Sequence, residues 1–161
     1  MLLQLEQFSP FIWECACGGG HISEVLKQHA YFVYSSDLIN RGYGKVQDFL
    51  SGSPPPITDF DIITNPPYSK AADFVNRALD LVGNGHKVAM FLKVQFLEGK
   101  ARWNNLYKDR PPKTVYISSA RLHCALGGDF DKYAKSNAIA YAWYVWEKGF
   151  SGDPTIKWFN H

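Results

Sequence analysis

The sequence is short of the features that would commit it to a secreted, metal-bound or membrane-spanning class. Three cysteines, Cys15, Cys17 and Cys124, give no even disulfide framework, and Cys15 and Cys17, two apart on an extended segment, point to one face. Reduced, intracellular thiols are therefore expected. The histidines His21, His29, His86, His123 and His161 are scattered, and zinc would need two more clustered ligands, so no metal is expected. No apolar run approaches a membrane span, and the opening Met1-Leu2-Leu3-Gln4-Leu5-Glu6 has no basic region and is too short for a secretion signal. The expectation is a cytoplasmic protein without a membrane partner. Internal repeats, low-complexity segments and linkers are missing too, which at 161 residues predicts a single domain over 1–161.

Charge of one sign is not in excess, with 17 Lys and Arg against 15 Asp and Glu, but it is unevenly spread. Residues 1–85 carry five basic and nine acidic side chains, whereas residues 86–135 carry ten and four. A basic segment favours a polyanionic partner; a solvated face of ordinary lysines is the competing reading.

What the sequence does have is a corner. The apolar run Phe60-Asp61-Ile62-Ile63-Thr64 reads as a buried strand, and Asn65-Pro66-Pro67-Tyr68 closes it. Each proline holds the residue before it extended and has no N–H to donate, so the corner is rigid and keeps free carbonyls. The Asn65 side-chain oxygen and the Pro66 carbonyl can accept hydrogen bonds from one amino group, and Tyr68 offers a flat face for a base. A strand that merely ends in a proline turn before a helix is the plainer alternative.

Upstream, Phe11-Ile12-Trp13-Glu14-Cys15-Ala16-Cys17 predicts a first buried strand running into Gly18-Gly19-Gly20, after which Ile22, Val25, Leu26 and His29 fall at helical spacing. Glycines there let the backbone approach a ligand closely. The run Gly18-Gly19-Gly20-His21-Ile22-Ser23 lacks the third glycine of Gly-x-Gly-x-x-Gly, which argues against a nicotinamide dinucleotide. A second strand over residues 31–36 ends at Asp37, placed to accept both hydroxyls of a ribose. Asp48 and Phe49 are placed to hold an adenine by its amino group and its face, or else form a short edge strand. A helix marked by Val75, Ala78, Leu79 and Val82, a strand over 87–92, a basic stretch, and strands over 114–118 and 138–146 follow. The long loop between the last two is expected to be functional or disordered. Alternation of strands and helices predicts an α/β parallel sheet, with Glu14, Asp37, Asp48 and Asn65 all at the C-terminal ends of strands, where such sheets bind ligands.

Asn-Pro-Pro-Tyr after a hydrophobic strand resembles the catalytic motif of S-adenosylmethionine-dependent amino-methyltransferases, which act on adenine N6, cytosine N4 or a protein glutamine amide. Together with Glu14-Cys15-Ala16-Cys17-Gly18-Gly19-Gly20, Asp37 and Asp48-Phe49, it resembles the motifs of DNA adenine-N6 methyltransferases, over nearly the whole chain. The chain looks like their small phage or prophage members through Phe91-Leu92-Lys93, Phe96-Leu97-Glu98-Gly99, Pro112-Lys113-Thr114-Val115-Tyr116 and residues 140–149. The resemblance implies the Rossmann-like class I methyltransferase sheet of seven strands, mostly parallel, its last two strands an antiparallel pair. It also implies S-adenosylmethionine as cofactor and DNA as partner. By position, Gly18 and Gly20, with Glu14 and Ala16 nearby, would lie against the methionine and ribose part of the cofactor, Asp37 on the ribose hydroxyls, and Asp48 with Phe49 on the adenine. Asn65, Pro66 and Pro67 would form the catalytic corner and Tyr68 would stack on a flipped base. Candidates in this sequence to grip the strand are the basic residues Lys93, Lys100, Arg102 and Arg121, with residues 122–137 contributing recognition; plain surface charge is the alternative for each. By the same resemblance, the aromatic segment with which relatives close over the methionine end is looked for before Phe11 without a recognisable counterpart, and the separate target-recognition domain of larger members is not expected here.

The implied reaction is direct in-line methyl transfer from S-adenosylmethionine to adenine N6 without a strong base. Cytosine N4 or glutamine on the same corner, and a non-catalytic nucleic-acid-binding module of the same fold, are the alternatives.

Overall fold

The computed structural model describes residues 1–120 and 139–160. Among these residues eight strands form one sheet: β1 (Phe11–Glu14), β2 (Phe32–Asp37), β3 (Lys45–Val46), β4 (Phe60–Thr64), β5 (Lys87–Lys93), β6 (Thr114–Ser118), β7 (Tyr141–Glu147) and β8 (Thr155–Phe159). Their order across the sheet is β3-β2-β1-β4-β5-β7-β6-β8. Strands β3, β2, β1, β4 and β5 pair in parallel, β7 runs antiparallel between β5 and β6, and β8 pairs in parallel with β6 at the far edge. The family resemblance implied seven strands. The eighth, β8, is an edge strand whose side chains are exposed except Phe159, so it lacks the buried alternation that announces a strand.

Alternation across the pleat divides the core into two layers. Trp13, Ile62, Val88, Met90, Leu92 and Tyr144 face one side, where they meet the helix α3 (Ala71–Leu81). That helix buries Ala71, Phe74, Val75, Ala78 and Leu79, a stripe at positions i, i+3, i+4, i+7 and i+8. Ile12, Ile63, Ala89, Tyr116 and Val145 face the other side, toward the short helix α1 (Leu2–Leu5) and α2 (His21–Gln28), which bury Leu2 and Leu26 there. Because both faces of β4 are covered, its five residues are all buried, which is why it reads as an uninterrupted run.

Asp61 is the charged exception within that run. Its carboxylate accepts the Ser9 N–H at 2.6 Å, the Lys87 N–H at 2.8 Å and a bond from His86 Nδ1 at 2.8 Å. The leading segment is tied down beside it, with Glu6 held by Lys87 at 2.6 Å and by the Tyr116 hydroxyl at 2.6 Å. This cluster sits at the N-terminal ends of β4 and β5 and leaves the opposite ends of the strands to the site.

Candidate functional site

The chain runs outward from β1 to β2 and β3, then returns to β4 on the other side of β1, so connections diverge between β1 and β4. In an open parallel sheet this divergence opens a crevice at the C-terminal strand ends. Glu14 closes β1, Asp37 closes β2, Asp48 lies two residues past β3, Asn65 directly follows β4, and Lys93 closes β5. Residues far apart in sequence are thereby gathered along one end of the sheet.

On the β1 side, Gly18 (φ 54°) and Gly20 (φ 86°) take left-handed conformations that bend the chain from β1 into α2. The Gly18 N–H donates to Asp37 Oδ2 at 2.8 Å, and the Ile39 N–H donates to Asp37 Oδ1 at 2.9 Å. Asp37 thus pins the glycine turn to the end of β2, and each carboxylate oxygen keeps acceptor capacity for a further hydroxyl. A Cβ added at Gly18 would meet nothing within 4 Å, so the turn faces open space there. Gly20 is the opposite case, packed so closely by the Tyr43 ring that a Cβ would come within 2.5 Å of it. Tyr43 is held in turn by its hydroxyl on Glu24 at 2.6 Å and by Lys27 at 2.7 Å. The side chain that fills the space over Gly20 is therefore a protein tyrosine, a neighbour the sequence reading missed.

Glu14 is buried, and the Ser23 hydroxyl is bonded to its carboxylate. Burial pushes its carboxyl up to about 7, with Ser23 drawing it back and Asp37 adding repulsion. Cys15 and Cys17 beside it are likewise raised by burial, Cys17 to about 11, so neither is a thiolate at neutral pH. Asp48 is exposed and held by the Leu50 N–H at 2.9 Å and the Ser51 hydroxyl at 2.7 Å, which lower its carboxyl. Phe49 departs from the expectation of a ring facing a ligand. Its ring is 2% exposed and packs in the core at 5.0 Å from Trp13 and 4.8 Å from Phe74. A large aromatic beside a loop aspartate has more to gain from that burial than from facing solvent.

On the β4 side, Asn65 is exposed, Pro66 is buried and Pro67 extends the chain (φ −59°, ψ 122°) into a 3₁₀ turn over Tyr68–Lys70. The Pro67 carbonyl is engaged by the Lys70 N–H at 2.9 Å, while among the described residues the Pro66 carbonyl accepts no hydrogen bond. Tyr68 is 38% exposed. Its ring lies 5.9 Å from Tyr141, and Lys93 Nζ sits over it at 5.0 Å from the centroid.

The expected basic grip separates into distinct cases. Arg102, in the short helix α4 (Lys100–Arg102), turns back on its own loop and donates to the carbonyls of Phe96 at 2.9 Å, Gln95 at 3.2 Å and Glu98. It braces the loop, whereas an arginine gripping a strand would project from it. Lys100 is exposed on the same turn. Arg121 and residues 122–137 lie outside the described residues. Among the described residues no cluster of His, Cys, Asp and Glu has a metal-holding arrangement, and no helix is long and apolar enough to cross a membrane.

No family model matches the chain, and no curated protein matches its sequence. Its fold does match solved structures. A predicted O-methyltransferase from Agrobacterium tumefaciens is similar over 97% of this chain and 81% of its own, at 11% identity and TM-score 0.63. A TehB-like SAM-dependent methyltransferase from Corynebacterium glutamicum is similar over 91% and 84%, at 12% identity and TM-score 0.57. Geranyl diphosphate methyltransferase, solved with GPP and sinefungin, is similar over 91% and 76%, at 11% identity and TM-score 0.59. Likeness at these identities is likeness of fold. The chain has the α/β, Rossmann-like class I methyltransferase fold, mostly parallel with a reversed strand near the C-terminal edge.

Proposed function

We propose that this chain is an S-adenosylmethionine-dependent methyltransferase acting on the exocyclic N6 amine of adenine in DNA. The observation that carries the reading is the pairing of two half-sites at one sheet end: the Asp37-pinned glycine turn with open space beside Gly18, and the Asn65-Pro66 corner, whose Pro66 carbonyl accepts no hydrogen bond among the described residues. Methyltransferases sharing the fold support the cofactor class.

The residues present fit that cofactor. Gly18 and Ala16 would approach its methionine and ribose part with Glu14 behind them, Asp37 would accept from the ribose hydroxyls, and Asp48 would accept from the adenine amino group. Gly20, already packed by Tyr43, contributes the shape of the turn. S-adenosylmethionine supplies an electrophilic methyl group on a sulfonium sulfur. Asn65 and Pro66 act on the other reactant. Two N–H bonds, one to the Asn65 side-chain oxygen and one to the Pro66 carbonyl, draw a conjugated amine toward a tetrahedral shape and aim its lone pair. With the amine held by Asn65 and Pro66, its surplus proton after methyl transfer would pass to water, so the corner needs no paired carboxylate. Such orientation supplies up to about 7–11 kcal/mol in the best cases. A base within a duplex cannot reach the corner, so it is flipped out, at a cost of a few kcal/mol.

Calorimetric titration with S-adenosylhomocysteine tests the cofactor half. Saturable one-to-one binding is expected, with affinity lost in Asp37→Ala and kept in Asn65→Ala. Equal loss in both variants would show that the site is not divided in this way.

A further inference from the structure

Among the described residues, two basic side chains that follow β4 and β5 already have partners. Arg102 is turned onto carbonyls, and Lys70 Nζ lies 3.8 Å from Asp73. Lys93 is different. It is half-buried at the end of β5, and its backbone is fixed by pairing with Tyr141 and by a bond from the Tyr144 hydroxyl to its carbonyl at 3.1 Å. Its ammonium lies over the Tyr68 ring, 5.0 Å from the centroid, and among the described residues it has no carboxylate partner. Tyr68 is braced by aromatic neighbours, because Tyr141 beside it is itself stacked on Phe91 at 5.4 Å and 14°.

We infer that Lys93 is a displaceable cation that reserves this face of Tyr68 for a planar amine bearing a neighbouring anion, which makes it a specificity-determining residue of the corner. The inference rests on the methyl-transfer reading, in which a planar amine stacks on Tyr68. Any ring that stacks on the face Lys93 covers must first move the ammonium away. The attraction between an ammonium and an aromatic face at a partly exposed site is weak, so displacement is easy. Where it now stands the ammonium makes no ion pair with a carboxylate of the described residues, so a ring that displaces it and carries its own anion gives it a partner. A nucleotide within a strand brings its own, because a phosphate lies a few bonds from the base. A glutamine side chain or a free nucleoside brings none and leaves the ammonium unpaired. The pair Lys93 and Tyr68 thus selects nucleotides of a strand over neutral amines of similar shape.

The test compares two single-stranded oligodeoxynucleotides, each with one adenine among thymines. In one, all linkages are phosphodiesters; in the other, the two linkages flanking the adenine are uncharged methylphosphonates. Fluorescence anisotropy should show that the wild-type chain binds the first more tightly. In Lys93→Met that discrimination should disappear, and the slope of log Kd against log salt should flatten by about 0.7, the contribution of one phosphate in a single strand. Lys93→Arg should keep both, which separates lost charge from lost fold. Equal binding of the two probes by the wild type, discrimination surviving in Lys93→Met, or binding of neither probe would overturn the inference. Titration of the same protein with S-adenosylhomocysteine judges the methyl-transfer reading separately, since failure there leaves the probe comparison to decide the role of Lys93.

Discussion

Glu14 combines a carboxyl, full burial and a titration near neutrality, and its effect on stability has a definite sign. Burial raises it from its ordinary 4.5 to about 7, so between those pH values the folded chain holds a proton that the unfolded chain has released. Stability from this group is therefore complete below about pH 4.5 and is lost as pH rises through about 7. Glu14→Gln cannot titrate, so its stability relative to the wild type should rise across that window and level off above it, by at most about 3 kcal/mol. Urea midpoints of both proteins from pH 5 to pH 8 measure this difference, and a difference that does not change with pH would contradict the assignment. The same scale shows what single residues disclosed and hid in the sequence. Asn65-Pro66 was legible because proline restricts conformation wherever it stands. Phe49 and Arg102 were not, because a side chain next to a loop gives no sign of whether it turns inward. Phe49 joined the core and Arg102 its own loop.

At the level of elements, the loop after β5 owes its shape to Arg102. Its guanidinium gathers carbonyls from Gln95, Phe96 and Glu98, and the Tyr107 hydroxyl also donates to the Phe96 carbonyl. Arg102→Ala should therefore lower stability by about 1–2 kcal/mol through carbonyls left without a charged donor. Its nucleic-acid affinity should keep the wild-type salt slope, unlike Lys93→Met. Thermal unfolding and salt titrations check the pair of expectations; a flattened slope with unchanged stability would restore Arg102 as a strand contact. Elements buried on both faces or one stripe were readable from periodicity, as with β4 and α3. The edge strand β8 and the tied leading segment were not, since their partners, Tyr116, Asp61 and Lys87, come from distant sequence.

Taken as a whole molecule, the sheet brings the glycine turn and the proline corner to adjacent strands, β1 and β4, and places the tied cluster of Asp61, Glu6 and Lys87 at the other end. The strand order β3-β2-β1-β4-β5-β7-β6 could be expected only through a family resemblance, because spacing alone does not say which strands become neighbours. The central claim is that this gathered end methylates adenine held at Asn65. The most direct measurement incubates the chain with methyl-labelled S-adenosylmethionine and DNA, digests the product to nucleosides and identifies the labelled one. The account predicts label in N6-methyldeoxyadenosine for the wild type and none for Asn65→Ala. Label confined to N4-methylcytosine, label undiminished in Asn65→Ala, or no label in DNA would contradict it.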